Sequence, residues 1–144
     1  MTLLNSNCDI PPSATLWELY AATLFVTAHP LPWRGRFGIV TAVNPGSLAL
    51  SAGANRIRDR ALQAQLVASG RPFVEIWGCS PDLRYRERSW AVWAEMADII
   101  DLGRRHEQSA VFFVDDDRLW LVSCAGEGPQ PRELGAFSER LVAE

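Results

Sequence analysis

The sequence predicts a single α+β domain, a mixed sheet of about five strands flanked by helices, in the order α-β-α-β-β-α-β-β. Three observations carry this. Short apolar runs rich in β-branched and aromatic residues alternate with stretches of helical spacing. Turn formers, such as Asn44-Pro45-Gly46, Gly70 and Asp115-Asp116-Asp117, punctuate those runs. The chain's 144 residues are 48% hydrophobic, enough for one core, with no repeat and no second apolar block.

Residues 1–12 read as a polar, proline-bounded lead-in expected to be mobile, and residues 13–144 as the domain. Ser13 or Thr15 can cap a first helix, and Thr15 with Glu18 fits a capping box. Leu16, Leu19, Tyr20, Thr23 and Thr27 recur at helical spacing until His29-Pro30-Leu31-Pro32 stops the helix. Arg36 to Val43 reads as a central strand, apolar on both faces. Ser51 is placed to cap a long helix closed by Gly70, with Ala54, Ile57, Ala61, Ala64 and Ala68 as its expected buried stripe. Pro72 to Cys79 is the second strand, residues 80–88 a charged loop, and Ser89 to Ala94 the third strand. The spacing of Met96, Ile99, Ile100 and Gly103 predicts a helix over 95–106, with Arg104, Arg105 and His106 suiting its C-terminal end. Val111 to Val114 and Leu119 to Val122 form a hairpin around the three aspartates. Gly126 to Pro131 is loop, and a short helix is expected near Phe137 to Val142.

Composition closes off several functions. The net charge of −3 gives no general attraction to nucleic acid or anionic lipid, so neither is an expected partner. All 14 basic residues are arginine, which excludes a Schiff-base lysine, a P-loop lysine and a lysine base. Cys8, Cys79 and Cys124 have no C-x-x-C spacing and form neither a disulfide framework nor a zinc pattern. His29 and His106 belong to no H-x-x-x-H pair, and the three aspartates are most simply a hairpin tip, so no metal or cofactor is expected. No leader pattern and no membrane-length apolar run are visible, which makes a cytoplasmic location the expectation.

Polar residues that interrupt the apolar framework are the candidate site. Asn44 follows the first strand, Asn55 lies early in the long helix, Glu87 and Ser89 lead into the third strand, and Gln108 leads into the fourth. Loops at strand ends converge on one rim in helix-flanked sheets, which is where ligands usually sit. Each asparagine taken alone is also an ordinary turn or cap residue. Glu87, beside Trp90 and among Arg84, Arg86 and Arg88, fits a general base, a ligand clamp or a salt-bridged loop residue.

Taken in order, Tyr20-x-x-Thr23, Phe37-Gly38-Ile39-Val40-Thr41-Ala42-x-Asn44-Pro45, Ser51-x-x-x-Asn55-Arg56, Gly78, Glu87-x-Ser89-Trp90 and Gln108-x-Ala110 resemble the bacterial domain-of-unknown-function family numbered 3293. The resemblance covers roughly residues 18–124, and its most specific piece is Thr-Ala-x-Asn-Pro followed by Asn55-Arg56. It implies a small stand-alone bacterial domain and this set of polar residues, and it supplies no reaction. The chain departs from the family pattern at Leu48 to Ala54, which is alanine-rich where acidic residues are expected.

Two functions are weighed. In the first, the domain binds a polar small molecule, nucleotide-like or another metabolite, in a cleft at the sheet rim. Asn44 and Asn55 orient it, Glu87 accepts from it or serves as the catalytic base, Ser89 and Gln108 complete the polar wall, Trp90 packs against it, and Arg56 meets an anion. In the second, the domain is a protein–protein interaction or homodimerisation module without catalytic activity, using Trp77, Trp90, Trp93 and Trp120 as a surface patch. Convergence of the polar residues on one hollow separates the two.

Overall fold

A computed structural model of the chain describes residues 14–30 and 32–143. The expected lead-in, the Ser13 cap and Cys8 lie outside the described residues. Among the described residues the architecture is α+β with three helices, α1 (Ala14–Ala21), α2 (Ala52–Ser69) and α3 (Met96–Arg105). Eight strands make one sheet, rather than about five: β1 (Leu24–Val26), β2 (Arg36–Val40), β3 (Phe73–Cys79), β4 (Arg86–Val92), β5 (Ala110–Asp115), β6 (Arg118–Ser123), β7 (Arg132–Ala136) and β8 (Leu141–Val142). Their spatial order is β7-β6-β5-β2-β4-β3-β1-β8, antiparallel throughout except for the β1–β8 pair.

The three extra strands come from short segments whose local signal was weak. Leu24-Phe25-Val26 was expected inside the first helix. It instead pairs with β3, Phe25 opposite Gly78, which suits its aromatic and β-branched content. Helix α1 accordingly ends at Ala21, and Thr15 lies within it rather than at its cap. The expected final helix is a 3₁₀ turn, Phe137–Arg140, set between β7 and β8. Strand β2 stops at Val40, and β4 begins at Arg86, inside the segment expected to be loop.

The sheet is strongly curled. β1 and β5 stand four places apart in the order, about 19 Å along a flat sheet. Yet Phe25 of β1 and Phe112 of β5 meet edge to face with ring centroids 5.1 Å apart. Phe137 plugs the same hollow, 5.6 Å from Phe25 and 5.3 Å from Phe37. Ile39, Ile76, Ala91, Val114 and Leu119 complete this concave core. Arg140 ties the two edges together, its guanidinium donating to the carbonyls of Ala21, Thr23 and Leu134.

Helices α2 and α3 cover the convex face, burying Leu62, Leu66, Ile99 and Leu102 against Val40, Trp90, Val92, Val111 and Phe113. Alternation along each strand sorts the residues: Trp90 and Val92 point to the helices, Ser89 and Ala91 to the hollow. Gly38 is required where α3 crosses β2, because a Cβ there would lie 2.3 Å from Ile99 Cγ2.

The long helix starts and stops as expected. Ser51 Oγ accepts the Ala54 N–H at 3.1 Å, and Gly70 takes the left-handed closing conformation. Its buried face is not the expected one. Asp59, Leu62 and Leu66 are buried, whereas Ile57 is 69% exposed and Ala61, Ala64 and Ala68 face outward with it. Two buried leucines with a paired aspartate outweigh a longer stripe of alanines, since an alanine has little area to bury. The hairpin tip is as expected: Asp116 and Asp117 both have positive φ, and Asp117 also accepts from Ser138 N–H and Oγ–H. Cys79 and Cys124 are buried, as expected for small apolar side chains.

None of the six tryptophans is fully exposed: Trp17 and Trp90 are buried, and Trp33, Trp77, Trp93 and Trp120 are half-buried. Trp93 stacks on Trp33 at 5.6 Å, Trp90 is in the convex core, and Trp120 packs against that core.

Candidate functional site

A cavity of about 300 Å³ opens between α1 and the concave face, where β2 and β3 end and β4 and β5 begin. Its floor is apolar: Phe25, Ile39, Phe112 and Leu121 from the strands, with Leu16 and Leu19 from α1 above them. One wall is polar, made by Asn44, Tyr85, Glu87, Ser89 and Gln108, with Tyr20 and Ser47 hydrogen-bonded to each other across the mouth. Gly78 leaves room beside Ser89, since a Cβ there would sit 3.8 Å from Ser89 Oγ.

Strand alternation builds the wall. Tyr85, Glu87 and Ser89 are two residues apart at and beyond the start of β4, so all three face inward. Tyr85 O–H donates to Glu87 Oε2, and Asn44 Nδ2 donates to the Tyr85 oxygen at 2.7 Å and to Glu87 Oε2 at 3.5 Å. Asn44 reaches this point because it holds a left-handed conformation, φ 52°, which an asparagine tolerates better than most residues. Asn55 fixes it from behind: its Oδ1 accepts the Asn44 backbone N–H at 2.9 Å and its Nδ2 donates to Asn44 Oδ1 at 2.8 Å. Leu50 N–H donates to the same Asn44 oxygen at 3.0 Å. The long helix thereby anchors the turn that shapes the pocket.

The electrostatics of this wall are one-sided. Burial pushes the Glu87 carboxyl above its ordinary range, while the Tyr85 and Asn44 hydrogen bonds pull it back part of the way. Burial, with the Glu87 carboxylate adding to it, raises the Tyr85 phenol far above its usual value, and burial also raises Tyr20. Both phenols therefore stay neutral donors at pH 7. Glu87 is the only acidic side chain lining the cavity, and no arginine or histidine lines it among the described residues.

Of the residues singled out from sequence, Asn44, Glu87, Ser89 and Gln108 line this one hollow, and Asn55 stands behind Asn44. Gln108 spends its Nε2 on the carbonyls of Val43 and His106. Trp90 and Arg56 lie elsewhere. Trp90 points to the convex side, where its Nε1 donates to Asp59 at 2.9 Å and Arg88 lies over its ring, 4.7 Å from the centroid. Its odd position relative to Ser89 dictates this. Arg56 is exposed on α2, away from the cavity. Arg88 is occupied by Asp59 at 2.9 Å and Glu75 at 2.6 Å, and neither it nor Arg84 or Arg86 lines the cavity. Tyr85 was missed as a site residue, although its two-residue spacing from Glu87 was the signal that reveals it. Among the described residues no group of His, Cys, Asp and Glu is arranged to hold a metal, and no helix is long and apolar enough to cross a membrane.

Comparisons with curated proteins and with solved structures gave no match. A family model described as "Protein of unknown function (DUF3293)" matches residues 40–111, half of the chain, a span that contains Asn44, Asn55, Gly78, Tyr85, Glu87, Ser89 and Gln108. The chain belongs to the DUF3293 family.

Proposed function

We propose that this domain binds a small amphipathic molecule in the cavity under α1, with the molecule's apolar body on Phe25, Ile39 and Phe112 and its polar head on Glu87. The observation that carries the reading is a half-buried carboxylate, fixed by Tyr85 and Asn44 in a neutral polar wall, facing the apolar floor of a cavity of about 300 Å³. That volume is at the small end of ligand pockets, and a few placed polar groups on an apolar lining are their usual chemistry. Glu87 serves in this reading as acceptor for the ligand. The nucleotide-like alternative is disfavoured, because among the described residues no cationic side chain lines the cavity to meet a phosphate.

The test is a thermal-shift screen of small amines, amides, alcohols and carboxylates alongside nucleotides, on the native chain and on Gly78→Val, which fills the space beside Ser89. A compound that raises the melting temperature of the native chain and not of the filled variant supports the reading. No stabilisation by any compound, or equal stabilisation of both proteins, refutes it.

A specific observation favours a second reading, self-association. Ala54, Ile57, Ala61, Ala64 and Ala68 form an apolar stripe on the side of α2 turned away from the sheet, and Ile57 and Val67 are well exposed. Sedimentation of the native chain and of Ile57→Glu decides this. A dimer that the substitution dissolves supports it, and a native monomer removes it.

A further inference from the structure

We infer that the ligand of this cavity is an organic cation, a protonated amine carried on a compact apolar body. This rests on the pocket reading above and deepens it. The cavity holds one formal negative charge and no positive one among the described residues. Of the two arginines that flank Glu87 in sequence, Arg88 points through the sheet to Asp59 and Glu75, Arg86 donates from Nε to the Leu83 carbonyl, and neither lines the cavity. Both hydrogen bonds that Glu87 receives go to Oε2, and Oε1 has no partner among the described residues. A carboxylate drawn out of water with one oxygen unsatisfied is costly until a donor, and best a charged donor, reaches it.

The remaining walls suit a cation. Tyr20 and Tyr85 both line the cavity, and their hydroxyls are already engaged with Ser47 and Glu87. A ring face attracts an ammonium group through its quadrupole. Deeper in, Phe25, Ile39, Phe112 and Leu121 offer only apolar contact, which requires the rest of the ligand to be uncharged. An anion fails on both counts, since it would meet Glu87 with no counter-charge. A neutral alcohol fills the same space and gains only an ordinary hydrogen bond.

Three probes of one shape separate these cases: 2-phenylethylamine, 2-phenylethanol and phenylacetate, each titrated into the full chain by calorimetry at pH 7. The ammonium should bind at least about tenfold tighter than the alcohol, the weight of one charge-assisted hydrogen bond. The carboxylate should be the weakest. In Glu87→Gln the preference for the ammonium should shrink to within about twofold, because the amide keeps the shape and loses the charge. A second readout needs no variant: the Glu87 carboxyl signal, followed by carbon NMR, should titrate at lower pH with the ammonium bound than without it. The other titratable side chains lining the cavity are Tyr20, Tyr85 and Cys79, and burial holds both phenols above their ordinary value, well clear of that range. Alcohol binding equal to or tighter than ammonium binding, or a preference that survives in Glu87→Gln, overturns the cation inference and leaves the pocket reading standing. Absence of binding by all three overturns both.

Discussion

Replacing Asn55 by alanine tests how the pocket wall is held. Asn55 touches no part of the cavity; it makes three hydrogen bonds to the Asn44–Leu50 turn, at 2.9, 2.8 and 3.4 Å. The substitution leaves the Asn44 N–H without its acceptor in a part-buried turn that is already left-handed. Asn44 Oδ1 keeps its bond from Leu50 N–H. One orphaned backbone donor costs about 1–3 kcal/mol and the lost side-chain bond about 1 kcal/mol, so the expected destabilisation is about 2–4 kcal/mol. In a domain this long that is a fall of roughly 5 °C or more in melting temperature. Urea unfolding followed by tryptophan fluorescence measures it directly. Asn44→Gly, which keeps the left-handed turn and removes the side chain, gives the partner variant for a double-mutant cycle. The two changes should be non-additive by about 1 kcal/mol, since they share the bond between the two side chains. A loss below about 0.5 kcal/mol for Asn55→Ala, the scatter of ordinary surface changes, refutes the clasp. Strict additivity does the same.

Three other perturbations have definite expected outcomes. Gly38→Ala drives a methyl into Ile99 and should cost about 1–3 kcal/mol in urea unfolding, with Ile99→Ala in the same chain recovering part of the loss; no loss at all contradicts the close α3–β2 crossing. Asp59→Ala strips the acceptor from both Trp90 Nε1 and Arg88 at a site 5% exposed, and should cost about 2–4 kcal/mol; a near-neutral result contradicts the buried network. The folded-state pKa of Glu87 is raised above its unfolded value near 4.5, so protonation favours the folded form. The native chain should therefore lose stability relative to Glu87→Gln as pH rises from about 4.5 through the higher folded value, measured as paired urea midpoints across that range. A difference that stays flat, or grows in the opposite direction, contradicts the burial of that carboxyl. His106 works the other way: burial lowers its pKa, so its contribution is present above 6.5 and fades as pH falls.

The contrast between what sequence revealed and what it hid has physical causes. Helix α2 was readable to the residue at both ends, because Ser51 and Gly70 are local devices whose chemistry does not depend on the rest of the fold. Its buried face was not, since the choice between an alanine stripe and the Asp59–Leu62–Leu66 face is made by what the sheet presents. Asp59 is buried because Trp90 and Arg88 meet it there, and neither partner is local. β1, β7 and β8 are two to five residues long and owe their strand character to partners elsewhere in the chain, so local pattern could not find them. The polar site followed the same division. Asn44, Glu87, Ser89 and Gln108 were recoverable as polar interruptions of apolar runs. Trp90 lies on the convex side and not with the hollow because side chains alternate along β4, and that same alternation places Tyr85 in the cavity lining.

Chemical-shift mapping with nitrogen-labelled protein and 2-phenylethylamine tests the pocket most directly. Binding under α1 should move the amide signals of Gly78, Ser89 and Ala110 and the side-chain amide of Asn44, while the α2 signals from Ile57 to Ala68 stay in place. Shifts confined to that outer α2 stripe, or none at the four concave-face positions, would contradict a ligand site built around Glu87.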